Sequence, residues 1–192
     1  PYSFWRRFAE IDSVVAIKAA PFNRYRTLNV LRGVVDAGAE DRIALYTGND
    51  DHILLDLLTP FTLMRDGEPV TVRFKGGLLG HWSVWVKNVA ALLDRIHAAV
   101  ASGTIPNDLL SLEAQITDCN AAFFDVANDF RGCIAGMHEI LRRQGLLEGI
   151  WCLDPEEGLS PGQAAEIDRV TAAYPWLNDD DFVRANLDRW LG

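Results

Sequence analysis

Cysteine is scarce: Cys119, Cys133 and Cys152 are the only three in 192 residues. None lies in a Cys-x-x-Cys or His-x-His spacing, so the chain offers neither a disulfide framework nor a zinc motif, and a reducing cytoplasm suits it. Positive charge is also short, with 18 Lys and Arg against 27 Asp and Glu, a net charge of −9 and a pI near 4.8. No basic stripe alternates with aromatics, which excludes a nucleic-acid partner. Long apolar runs are missing too. None reaches the ~18 residues a membrane span needs, and the opening PYSFWRRF lacks the apolar stretch of a signal peptide, so no membrane partner is expected. No nucleotide fingerprint or haem motif occurs, and Gly76-Gly77-Leu78-Leu79-Gly80 lacks the spacing and the lysine of a phosphate loop. No cofactor and no resident metal are expected.

What is present is a core-building composition, 49% hydrophobic, enough to bury a sizeable interior. Phe4, Phe8 and Ile11 stand at helical spacing over residues 3 to 10, and the β-branched run Val14 to Ile17 reads as a strand. Tyr25 to Val35 reads as a helix closed near Gly38. Ile43 to Tyr46 is a second strand, stopped by Thr47-Gly48-Asn49-Asp50-Asp51, and His52 to Leu58 resumes helical spacing with Asp50 or Asp51 as its cap. Phe61 to Met64 and Val70 to Phe74 flank Arg65-Asp66-Gly67-Glu68, a hairpin signal. The glycine-flanked run 76–80 reads as a third strand, followed by a helix from Val84 to Val100 that ends at Gly103.

From Asn107 onward the pattern is helical: Leu109 to Phe130, Cys133 to Gln144, Pro161 to Tyr174 and Asp179 to Leu191. Trp151, Trp176 and Trp190 read as core or subunit contact. Strands alternating with helices imply right-handed βαβ units on a parallel sheet. The expected organisation is α/β over 1–103, with an inserted hairpin at 61–74, and a helical region over 104–192.

One residue stands out against the strand pattern. In VVAIKAAPFNR, Lys18 ends an apolar run, on the strand face opposite Val15 and Ile17. At the C-terminal tip of a barrel strand, an amine can point into a semi-enclosed site, where desolvation favours the neutral form that attacks a carbonyl. The plainer alternative is a lysine that snorkels from a strand end or pairs with a carboxylate such as Asp50.

The order FAEIDSVVAIKAAPFN, IALYTGNDD and KGGLLGHW resembles the second half of the dihydrodipicolinate synthase and N-acetylneuraminate lyase family of class I aldolases. The family pattern places a Schiff-base lysine in Ile17-Lys18-Ala19-Ala20 at the end of barrel strand six. It places a substrate loop at Gly48-Asn49-Asp50 after strand seven and a glycine pair at Gly76-Gly77 on strand eight. The resemblance implies the C-terminal part of a TIM (β/α)8 barrel, strands six to eight, with an appended C-terminal helical region. It further implies Lys18 as the imine-forming residue, with Gly48, Asn49, Asp50, Asp51, Gly77, Leu79, Gly80 and His81 lining a pocket for pyruvate or another 2-oxo acid. His81 stands where many members carry a serine, and is a candidate hydrogen-bond donor or proton carrier.

Three strands are too few for a closed barrel, and the chain starts at Pro1 inside what reads as a helix. A processed or partial chain is therefore expected, with an N-terminal half-barrel supplied by the same gene product or a second chain, and a homo-oligomer by analogy with the family. Two other functions remain open at this level. One is a metal-dependent barrel enzyme using Asp50, Asp51, His52 and His81 as ligands. The other is a non-catalytic ligand-binding or assembly subunit.

Overall fold

In the computed structural model, the described residues are 1–77 and 80–192; Leu78, Leu79 and the side chain of His81 lie outside the description. Helix α1 (Tyr2–Phe8) leads into strand β1 (Ala16–Ala19), helix α2 (Arg24–Asp36), strand β2 (Ala44–Thr47) and helix α3 (Ile53–Leu58). Strands β3 (Phe61–Arg65) and β4 (Glu68–Val72) pair antiparallel, and β5 (Phe74–Gly77) follows. Strands β1, β2 and β5 form a parallel sheet in that order. The protein is therefore α/β, as the alternation of periods requires. Among the described residues the sheet is three-stranded and open, with β1 and β5 as its edges.

Each element has a local cause. Asn23 caps α2 by accepting from the Arg26 N–H at 3.0 Å, and Gly38, at φ +63°, ends the helix in the left-handed region that glycine enters at little cost. Gly33 has no Cβ where α1 crosses; one would stand 2.6 Å from Trp5 Cβ, so glycine is what lets the two helices touch. Arg42 fixes the approach to β1 by donating to the carbonyls of Ala9 at 2.6 Å and Ile11 at 3.0 Å. Asp66 and Gly67 both have positive φ, 54° and 87°, which matches the two-residue turn that Asp-Gly favours. The hairpin is as expected, except that Phe74 belongs to β5 rather than to the hairpin, so the third parallel strand starts earlier than its glycines suggest.

The sheet's two faces differ. Ile17 and Ala19 of β1 and Leu45 and Thr47 of β2 are buried, whereas Ala16 and Lys18 are exposed and Ala44 and Tyr46 only half-buried. Parallel sheets are ordinarily covered on both faces.

The chain divides into two compact units, residues 1–79 with 96–113 and residues 80–95 with 114–192. The second is helical. It contains part of α4 (Val86–Ser102), the C-terminal part of α5 (Asn107–Phe123), and α6 (Cys133–Arg143), α7 (Gln163–Ala173), α8 (Asp180–Arg184) and α9 (Leu187–Leu191). Helix α5 stops at Phe123 instead of running to Phe130, because Asp125, Asp129 and Phe130 all take positive φ. The helix expected over 179–191 is two short ones, broken between Arg184 and Leu187. Buried Gln163 joins three segments by donating to the carbonyls of Gly132 at 2.9 Å and Phe123 at 3.3 Å, while its Oε1 accepts from the Ser160 N–H. Trp151, Trp176 and Trp190 are 71%, 58% and 46% exposed, so none is a core residue of this chain.

Candidate functional site

Lys18 is the penultimate residue of β1 and faces away from the buried side of the sheet, paired in register with Tyr46 of β2. With Trp5, Pro21, Arg26 and Asn29 it lines a half-open cavity of about 670 Å³. The loop that follows carries Phe22 at φ +46°, a strained conformation for a bulky residue, and the Phe22 N–H donates to Asn49 Oδ1 at 3.1 Å. The loop after β1 is thereby tied to the loop after β2.

Beneath those loops lies a buried polar network. Asp56 of α3 is fully buried and pairs with Arg24 at the start of α2. Its other oxygen accepts from the Thr47 hydroxyl and from Asn49 Nδ2, the latter at 2.9 Å. Asn49 Nδ2 also donates to the Thr27 hydroxyl at 3.1 Å. The network joins α2, β2 and α3, and holds the strand ends in fixed relation. It also commits both polar atoms of Asn49, which makes that residue a positioning group.

At the start of α3, His52 rather than Asp50 or Asp51 holds the N-cap position, and its side chain makes no capping bond. Glu113 of α5 does the capping, with Oε2 accepting from the Leu54 N–H at 2.8 Å and the Leu55 N–H at 3.3 Å. Its Oε1 makes no hydrogen bond but lies 3.4 Å from His52 Nδ1. Burial pushes the Glu113 carboxyl up to about 7, and the two amide donors oppose that only in part. Asp50, also buried, is raised to about 6 by desolvation first and by the neighbouring Asp51 charge second. Asp51 is exposed, and with Arg24 and His52 it lines a second cavity of about 250 Å³.

The strand ends bring together Lys18, Gly48 and Gly77: the Gly48 N–H donates to the Ala19 carbonyl at 2.8 Å, and Gly77 pairs with Thr47. Leu79 and the His81 side chain lie outside the described residues, and Gly80 opens a 3-10 helix (Gly80–Ser83) in the second unit. Among the described residues, no group of three or more His, Cys, Asp or Glu converges on a position that could hold a metal ion. No helix among them is long and apolar enough to cross a membrane. All three cysteines are free thiols, and burial pushes Cys119 up to about 12.

Sequence reading missed Tyr46, Asp56, Arg24 and Glu113. Strand alternation could have found Tyr46, since it puts the residue on the Lys18 face once β1 and β2 are paired. Glu113 is 59 residues from Leu54, and no local signal marks that contact. No family model matches this chain, and no curated protein matches it.

Proposed function

We propose that this chain carries the lysine-bearing part of a Schiff-base lyase of the class I aldolase type, acting on pyruvate or another 2-oxo acid. Its three parallel strands would be strands six to eight of a TIM (β/α)8 barrel, completed by an N-terminal half-barrel from the same gene product or a second chain. A homo-oligomer is part of the same reading. The observation that carries it is the place of Lys18: at the C-terminal tip of a parallel strand, exposed on the sheet face opposite buried Ile17. The neighbouring strands are consecutive in the sheet, and their C-terminal ends supply Gly48 and Gly77. The order of motifs around the same residues, which resembles the dihydrodipicolinate synthase and N-acetylneuraminate lyase family, supports it.

The chemistry asks little else of the chain. The neutral Lys18 amine adds to the keto carbon, and loss of one water leaves an imine. Once protonated, the imine accepts the electron pair of the C3–C4 bond on cleavage, as the C4 hydroxyl loses its proton and C4 leaves as a carbonyl, or that of a C3–H bond whose proton has left before condensation. Lys18 is exposed in this chain, and desolvation is what frees such an amine near neutrality. The covering half is therefore integral to activity, and this chain by itself should be inactive. Among the described residues no strand pairs with the outer edges of β1 and β5, which argues for the same cover, because open edges invite pairing.

The test is borohydride trapping of the full-length protein with pyruvate, read by mass on the peptide carrying Lys18. A reduced adduct on that peptide, absent in Lys18→Ala, is the expected result. A folded, full-length protein that gives no adduct with any 2-oxo acid sinks the assignment.

A further inference from the structure

Positive charge is scarce in this chain, yet two cations without a counter-charge line one cavity. Lys18 and Arg26 share the half-open space of about 670 Å³ beside the end of β1, within the roughly 300–1,000 Å³ of small-molecule sites. Among the described residues, no side-chain hydrogen bond or ion pair engages Lys18, Arg26 or Asn29, and the lining holds no acidic residue. Arg26 is the more telling of the two cations. It lies in the first turn of the 13-residue α2, where the helix dipole disfavours positive charge, and no acidic residue occupies that turn. Arg24, in the same turn, is compensated by Asp56. The backbone N–H of Arg26 donates to Asn23, but its guanidinium has no such partner.

The remaining wall is apolar and fixed. Trp5 packs edge-on against Phe4 and Phe8, at 5.0 and 6.0 Å between ring centroids, and sits close to α2 because Gly33 there has no side chain. Val30 of α2 is buried beside it. A ligand that matches this lining has a head with more than one negative charge and several acceptor oxygens, and an apolar body. A carboxylate carries a single charge and leaves one of the two cations unmatched. A phosphate monoester carries about −1.5 to −2 at pH 7 and three acceptor oxygens, two of which a guanidinium engages side by side. We infer that this cavity binds a small phosphomonoester non-covalently, its phosphate held by Arg26, Lys18 and the Asn29 amide and its organic part against Trp5 and Val30. The site goes beyond the Schiff-base reading and does not rest on it, although the two share Lys18. A bound dianion favours the ammonium form of that residue, which cannot attack a carbonyl, so occupancy and imine formation exclude each other.

Three probes separate the parts of this recognition: phenyl phosphate, inorganic phosphate, which lacks the apolar body, and benzoate, which lacks the second charge. The measurement is isothermal titration calorimetry of the full-length protein at low ionic strength. Phenyl phosphate should bind saturably and at least tenfold tighter than either of the others. Arg26→Gln and Lys18→Gln should each weaken it at least tenfold, while circular dichroism and the melting temperature stay at wild-type values. Lys75→Gln removes an exposed cation outside the cavity and should leave the affinity within twofold of wild type, which controls for diffuse charge. No saturable binding of phenyl phosphate by the folded wild type overturns the site. So does equal affinity for benzoate or inorganic phosphate, an undiminished affinity in Arg26→Gln, or an equal loss in Lys75→Gln. Binding of phenyl phosphate by a protein that gives no borohydride adduct with any 2-oxo acid leaves this site standing and removes the Schiff-base reading. An adduct on Lys18 without phenyl phosphate binding does the reverse.

Discussion

Adjacent residues of β1 have opposite fates. Ile17 is 4% exposed on the helix-covered face, and Lys18 is exposed on the other, where Tyr46 lies over Gly76. On the first side polar groups are committed to one another: the Thr47 hydroxyl and Asn49 amide converge on Asp56, which also holds Arg24. On the second face an amine and a phenol occupy paired positions without a hydrogen bond between them. One face holds the fold together. The other leaves Lys18 exposed and Tyr46 half-buried beside it.

The sharpest way to break this contrast is to substitute the two neighbours. Ile17→Ala should cost about 3 kcal/mol through lost burial and an unfilled space, read as a lower urea midpoint. Lys18→Ala should shift stability by no more than about 0.5 kcal/mol yet abolish borohydride trapping. Equal destabilisation by both would mean that the two faces are not distinct.

Removing Asp56 should be next in size. Asp56→Ala leaves the buried Thr47 and Asn49 groups and the part-exposed Arg24 without their acceptor, a loss of about 3 kcal/mol. Asp56→Asn should recover part of it, because an amide oxygen can still accept from Thr47.

A smaller, pH-dependent effect is expected at Glu113. Its carboxyl is near 4.5 when solvated and about 7 when folded, raised by burial. Between those values the folded chain keeps a proton that the unfolded chain releases, so stability falls as pH rises from about 4.5 to about 7 and then levels. Glu113→Gln can still accept from the Leu54 and Leu55 amides and cannot ionise. Its stability relative to wild type should therefore climb across that window and stay flat above it, as measured by urea unfolding at several pH values. A relative stability independent of pH would show that Glu113 is not buried as a proton-holding group. The smallest effect should come from Gly76→Ala. A Tyr46 ring moved by a few tenths of an ångström should leave the urea midpoint almost unchanged.

Much of the fold was legible because periodicity and turn chemistry are local. The β-branched run ending at Lys18, the Asp66-Gly67 turn, and the glycines at 38, 103 and 145, all of which take positive φ, marked their elements from sequence. Failures came where distant groups decide. Asp50 and Asp51 have the right chemistry for the N-cap of α3, but His52 holds that position and Glu113, on another helix, accepts from the Leu54 and Leu55 amides. Continuous helical spacing hid the break before Leu187 and the left-handed residues after Phe123, because spacing records apolar faces rather than backbone angles. For Trp151, Trp176 and Trp190, read as core or subunit contact, exposure leaves only the second alternative, which residue size could not separate from the first.

By itself the sequence determined that strands alternate with helices, that the alternating strands run parallel, and that Lys18 falls on the strand face opposite Ile17, since side-chain alternation has a period of two whatever surrounds the strand. Only the tertiary structure decided which face the helices cover, that Tyr46 is the register partner of Lys18, and that Glu113 of another helix accepts from the Leu54 and Leu55 amides. Those outcomes depend on register and on contacts between residues tens of positions apart, and local patterns carry no record of either.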